Sequence, residues 1–134
     1  MITVQCTVNV PIDKVWEFWT VPEHIIKWNN ASEDWHTPKA INDLKVGGKF
    51  CYTMAAKDES MRFDFEGEYT NFKHHSIIEY KLDDNRLVKI TFEAVANGVI
   101  VSEYFDAEEK HSGEMQRQGW QAILNNFKNY TEKI

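Results

Sequence analysis

Apolar and polar positions change period twice along this chain. Ile2, Val4, Cys6, Val8 and Val10 alternate with Thr3, Gln5, Thr7 and Asn9. The spacing predicts a strand over residues 2 to 10 with one buried and one wet face. Pro11 ends it. Ile12, Val15, Trp16 and Trp19 then fall at helical spacing, and Pro22 opens a second short helix carrying Ile25, Ile26 and Trp28. Residues 31 to 46 have weak periodicity and read mostly as loop, with a short strand near residues 40 to 44. From residue 50 the period returns to two. Phe50, Tyr52 and Met54 alternate on one run, and Phe63, Phe65 and Gly67 on the next. A short turn between the runs sets 52 opposite 65 and 50 opposite 67, so both aromatic faces coincide. Asp64, Glu66 and Glu68 then share the outward face with Cys51, which makes them a solvated surface rather than a metal or acid/base cluster.

Strands follow over 76 to 82, 86 to 96 and 99 to 106, with turns at residues 83 to 85 and at Asn97-Gly98. The Asn-Gly turn predicts 96 opposite 99, 92 opposite 103 and 90 opposite 105. Val88, Ile90, Phe92, Val99, Val101 and Phe105 form the apolar face, and Glu103 is forced onto it. The last stretch, 112 to 134, places Trp120, Ile123, Leu124, Phe127, Tyr130 and Ile134 on one face of a helix of roughly 30 Å. Gln121, Lys128 and Glu132 fall on a face expected to be wet. Ser112 suits the N-cap. Gly119, mid-helix, suggests a close approach to the helix backbone. The whole predicts a single α+β domain over 1–134: about six antiparallel strands, two short helices after the first strand, and one long C-terminal helix covering the sheet.

With 134 residues, eight Phe, five Tyr and five Trp, the chain can build a substantial core. A net charge of −6 without a basic run argues against nucleic acid as a partner. Membrane insertion is not expected, since no apolar run approaches the ~20 residues of a span. Cys6 and Cys51 form no metal or redox spacing, and no secretory signal is visible, so a cytoplasmic protein is the expectation. No metal site or cofactor is predicted.

Several segments resemble one known family. They are Val10 to Trp16 at the first helix, Asp43 to Phe50, Phe63 to Tyr69, and Phe105 to Glu108 leading into Gln116 to Leu124. Together they resemble the START/Bet v 1-like (SRPBCC) superfamily and, within it, the homologues of the activator of the Hsp90 ATPase. The resemblance implies the helix-grip fold, a curved sheet wrapped on the C-terminal helix. It also implies a small apolar or amphipathic ligand held between the two. On that basis Trp28, Trp35, His36, Phe50, Tyr52, Phe63, Phe65, Glu103, Met115 and Gly119 are candidate lining residues. Two other readings stay open. One is a cyclase- or dehydratase-type enzyme with His36 or Glu103 as acid/base. The other is a chaperone-related interaction module or a homodimer.

Overall fold

A computed structural model describes residues 1–134. The elements in order are β1 (Ile2–Val8), α1 (Ile12–Thr20), α2 (Pro22–Trp28), β2 (Trp35–Asn42), β3 (Lys49–Ala56), β4 (Arg62–Lys73), β5 (Ile77–Leu82), β6 (Leu87–Val95), β7 (Gly98–Phe105) and α3 (Gly113–Lys133). All seven strands form one antiparallel sheet in the order β1-β7-β6-β5-β4-β3-β2. The sheet curls around α3, which is the expected helix-grip arrangement with one strand more than expected. The additional strand is β2, which begins at Trp35 in a stretch where only a short strand near residues 40 to 44 is expected. A bulge between His36 and Lys39, with Pro38 inside it, breaks the alternation by which a strand is recognised.

The expected pairing of the aromatic runs is observed, Tyr52 with Phe65 and Phe50 with Gly67. The last hairpin differs from its expected register. Val95 pairs with Gly98, Phe92 with Val101 and Ile90 with Glu103, a shift of two residues that keeps every side chain on its predicted face. Ala96-Asn97 thus forms the tip, and Gly98 starts β7. A Cβ on Gly98 would lie 2.2 Å from the Val8 carbonyl oxygen, so glycine is required there by the passing end of β1.

The core is one cluster in which Val4, Val8, Val15, Trp19, Ile25, Phe92, Val101, Phe105, Leu124 and Phe127 are buried. Trp19, Trp28 and Phe127 meet with ring centroids 4.8–4.9 Å apart, joining α1 and α2 to α3 at one end. The N-cap of α3 is Ser112, whose hydroxyl accepts from the Met115 amide at 3.1 Å. The polar face of α3 is not simply wet. Gln121 Nε2 donates to the Gln5 carbonyl (3.1 Å), Lys128 Nζ donates to the Thr7 carbonyl (2.6 Å), and Glu132 Oε2 accepts from the Asn9 amide (2.8 Å). These bonds run along the outer edge of β1 and its end, which no other strand covers.

Thr131 is fully buried on α3, and its hydroxyl has no hydrogen-bond partner. Thr131→Val keeps the shape and removes an unsatisfied polar atom. It is expected to raise the unfolding free energy by about 1 kcal/mol, read as a higher urea midpoint at unchanged slope.

Candidate functional site: the space between sheet and helix

Strand alternation determines which side chains face α3. On β3 the odd–even pattern turns Phe50 and Tyr52 inward, and on β4 it turns Phe65 inward; Tyr80 on β5 and Glu103 on β7 follow the same rule. These residues and α3 do not meet everywhere. Between them lies a partly open space of about 670 Å³.

Nine of the ten expected residues line it: Trp28, Trp35, Phe50, Tyr52, Phe63, Phe65, Glu103, Met115 and Gly119. Phe50 and Trp28 are buried, whereas Phe63 and Met115 are 47 % and 60 % exposed and mark the mouth. Trp35 approaches Phe63 there, with ring centroids 5.8 Å apart. Trp120 stacks on Phe105 at 3.9 Å and meets the edge of Phe65 at 6.0 Å, forming the wall on the helix side.

His36 is the exception. It is exposed and does not line the space. It lies in a strand rather than a capping loop, and its neighbour Trp35 takes the inward position, so alternation turns His36 away. His36 therefore stands outside the space in which it was expected to act. Gly119 also differs from expectation. A Cβ placed there meets nothing within 4 Å, so no protein group approaches that point of the helix and the glycine opens onto empty space.

Glu103 is the one carboxylate deep in the site. It is 6 % exposed and lines the space, and no protein group hydrogen-bonds its carboxyl. Burial alone raises its pKa from the ordinary 4.5 to about 8. Protonated, it can donate a hydrogen bond; ionised, it needs a partner that the protein does not provide. Its titratable neighbours offer none. Burial, and then the Glu103 charge, push the Tyr80 hydroxyl well up, and the same two causes push the Cys6 thiol up to about 12. Tyr69 donates to Asn42 Oδ1 at 2.5 Å, and Asn42 Nδ2 donates to the Thr20 carbonyl at 2.7 Å.

Several polar residues of the site lie outside the expected set. Arg86 lines it, and its Nε donates to Asp84 Oδ2 at 2.7 Å. Glu108 and His111 also line it and bond to each other. Gln116 fastens this segment to α3: its side chain accepts from the Glu108 amide (2.8 Å) and donates to the Glu108 and His111 carbonyls (3.1 and 2.9 Å). Tyr80 was recoverable from the alternation of Ile78, Tyr80 and Leu82. Asn42 falls in the short strand expected near residues 40 to 44, whose weak periodicity does not show which face it takes, and no local pattern marks Arg86.

On the outer face, Asp64 is exposed and accepts from Thr53 at 2.8 Å, as the alternation predicts. Cys51, Asp64 and Glu66 bring their side-chain donor atoms within 4.8 Å of one another. Burial, and then the charge of Asp64, raise the Cys51 thiol above its ordinary value, which disfavours the thiolate that binds metals. No helix of the chain is long and apolar enough to cross a membrane.

A family model described as activator of Hsp90 ATPase homolog 1-like protein matches residues 9–132. Among solved structures, an AHSA1-like protein from Aeromonas hydrophila is 43% identical, with 98% of this chain and 92% of that chain covered and a TM-score of 0.93. A protein from Cytophaga hutchinsonii is 52% identical over 98% of this chain and 92% of that one, with a TM-score of 0.86. A protein from Chromobacterium violaceum, 21% identical over 98% and 96% with a TM-score of 0.86, shares the fold. No curated protein matches the chain.

Proposed function

We propose that this chain, which belongs to the activator of Hsp90 ATPase homolog 1-like family of the START/Bet v 1-like superfamily, binds a small, largely apolar molecule between its sheet and α3. The observation that carries this reading is the unfilled space itself. Close packing is the rule in protein interiors, and a void of about 670 Å³ forfeits both burial and dispersion contacts. Its volume falls in the range of roughly 300–1,000 Å³ typical of small-molecule sites. Of its 25 lining residues 16 are hydrophobic, so the occupant is mainly apolar, and the polar groups gather at few points, where they orient it.

Acid/base catalysis is less well supported. The one buried carboxyl, Glu103, has no second titrating group in hydrogen-bond reach to form a pair, and His36 points away. The test is native mass spectrometry of protein purified without detergent. A bound species of a few hundred daltons that disappears on acid denaturation is expected. A bare chain that also fails to bind apolar aromatic alcohols would overturn the reading.

A further inference from the structure

We propose that the occupant of this space is an organic cation, an amine on an apolar or aromatic body, whose nitrogen is held by Glu103. The inference rests on the binding function proposed above and names the class of ligand. Glu103 projects from β7 into the space with 94 % of its surface removed from solvent, the complement of its 6 % exposure. No group of the protein hydrogen-bonds it.

Buried carboxylates are paired in folded proteins because desolvation is costly, and an opposite charge compensates best. The lining holds one permanent cation, Arg86, whose charge reaches Tyr80 but which makes no bond to Glu103. Tyr80 on β5 and Cys6 on β1 are kept neutral by burial. Ile90, its partner on β6, and Gln116 and Trp120 on α3 carry no charge. Arg86 is bonded to Asp84, and His111 to Glu108. The Glu103 carboxyl is therefore left without a charged partner of its own.

The walls suit such a charge. Phe65, Tyr80 and Trp120 all line the space, and aromatic faces attract cations that lie over them. Trp120 stacks on Phe105 and Phe65 meets both Tyr80 and Trp120 edge-on, which fixes the rings in place without a ligand. The chain's net charge of −6 favours the approach of cations over anions. At neutral pH the free carboxyl carries its proton, so capture of an ammonium group makes Glu103 ionise and releases that proton to solvent.

The experiment compares three probes of one shape: 2-(1-naphthyl)ethylamine, 2-(1-naphthyl)ethanol and 1-naphthylacetate, titrated into the full chain by calorimetry. At pH 8 the amine is expected to bind about tenfold to a hundredfold more tightly than the alcohol, the strength of a charge-assisted hydrogen bond, and the acid weakest. At pH 6.5, titrations in two buffers of different ionisation enthalpy should show about one proton released per amine bound, and none for the alcohol. Glu103→Gln should collapse the amine-to-alcohol preference to within about threefold and abolish the proton release. If the alcohol or the acid binds as tightly as the amine, or if the preference survives Glu103→Gln, the amine assignment is wrong and the binding function stands. If none of the three binds, the amine assignment falls, and the binding function falls with it where native mass spectrometry also shows a bare chain. The wild-type comparison and the proton count decide the matter even if the variant fails to fold.

Discussion

Gly119→Leu is expected to make the protein more stable and nearly unable to bind. The two effects have separate physical origins. Glycine in the middle of a helix costs about 1 kcal/mol relative to a good helix former, and leucine is one. A Cβ at Gly119 encounters no atom within 4 Å, so the new side chain enters without a clash. It does so on a residue that lines the space, where it takes volume a ligand would use and buries apolar surface of its own. The thermal midpoint should rise by several degrees, in line with about 1 kcal/mol in a domain of this size. Affinity for 2-(1-naphthyl)ethanol should fall by about a hundredfold or more, the consequence of overlap rather than of a lost contact. Unfolding followed by circular dichroism and titration followed by tryptophan fluorescence check the two halves. A variant that is stabilised yet binds normally would show that the ligand does not use this part of the space.

Glu103→Gln should change stability in a pH-dependent way whose sign is fixed by the raised pKa. Below pH 4.5 the carboxyl holds its proton in the folded and the unfolded chain alike, and the substitution has little effect. Between 4.5 and about 8 the unfolded chain ionises while the folded chain remains protonated. Ionisation then favours the unfolded state, and wild-type stability falls as pH rises through this window. Above about 8 both states are ionised and the loss levels off. Each tenfold change in proton affinity is about 1.4 kcal/mol, and water in the open space moderates the total. The variant, which cannot ionise, should exceed the wild type by on the order of 2–4 kcal/mol at pH 9 and by almost nothing at pH 4. Urea unfolding across that range measures the difference. Equal profiles would mean that Glu103 is hydrated well enough to behave like a surface carboxylate.

The legibility of this molecule in its sequence depended on period. Where residues alternated cleanly, as at Phe50, Tyr52, Phe63 and Phe65, both the face and the partner followed. Glu103 was placed on the inner face through a hairpin whose register was two residues off, because a shift of two preserves the face while a shift of one would reverse it. His36 was misplaced for the opposite reason: Pro38 and the bulge removed the alternation of β2, and without it Trp35 and His36 could not be told apart. Gly119 signals an exception in the helix without its cause: a close neighbour is expected and empty space is found, since glycine answers equally to either. Arg86, Glu108 and His111 come to the site from turns and a connecting segment, where position depends on the tertiary fold and carries no local pattern.

The side chains of Gln121, Lys128 and Glu132 along β1 also bear on self-association. A sheet grows by templating a foreign strand on an unpaired edge, and this sheet has two candidate edges, β1 and β2. With the first occupied by the helix's own amides and charges, a foreign strand arriving there must first displace them. Loosening α3 from β1 is what would open this edge to templating.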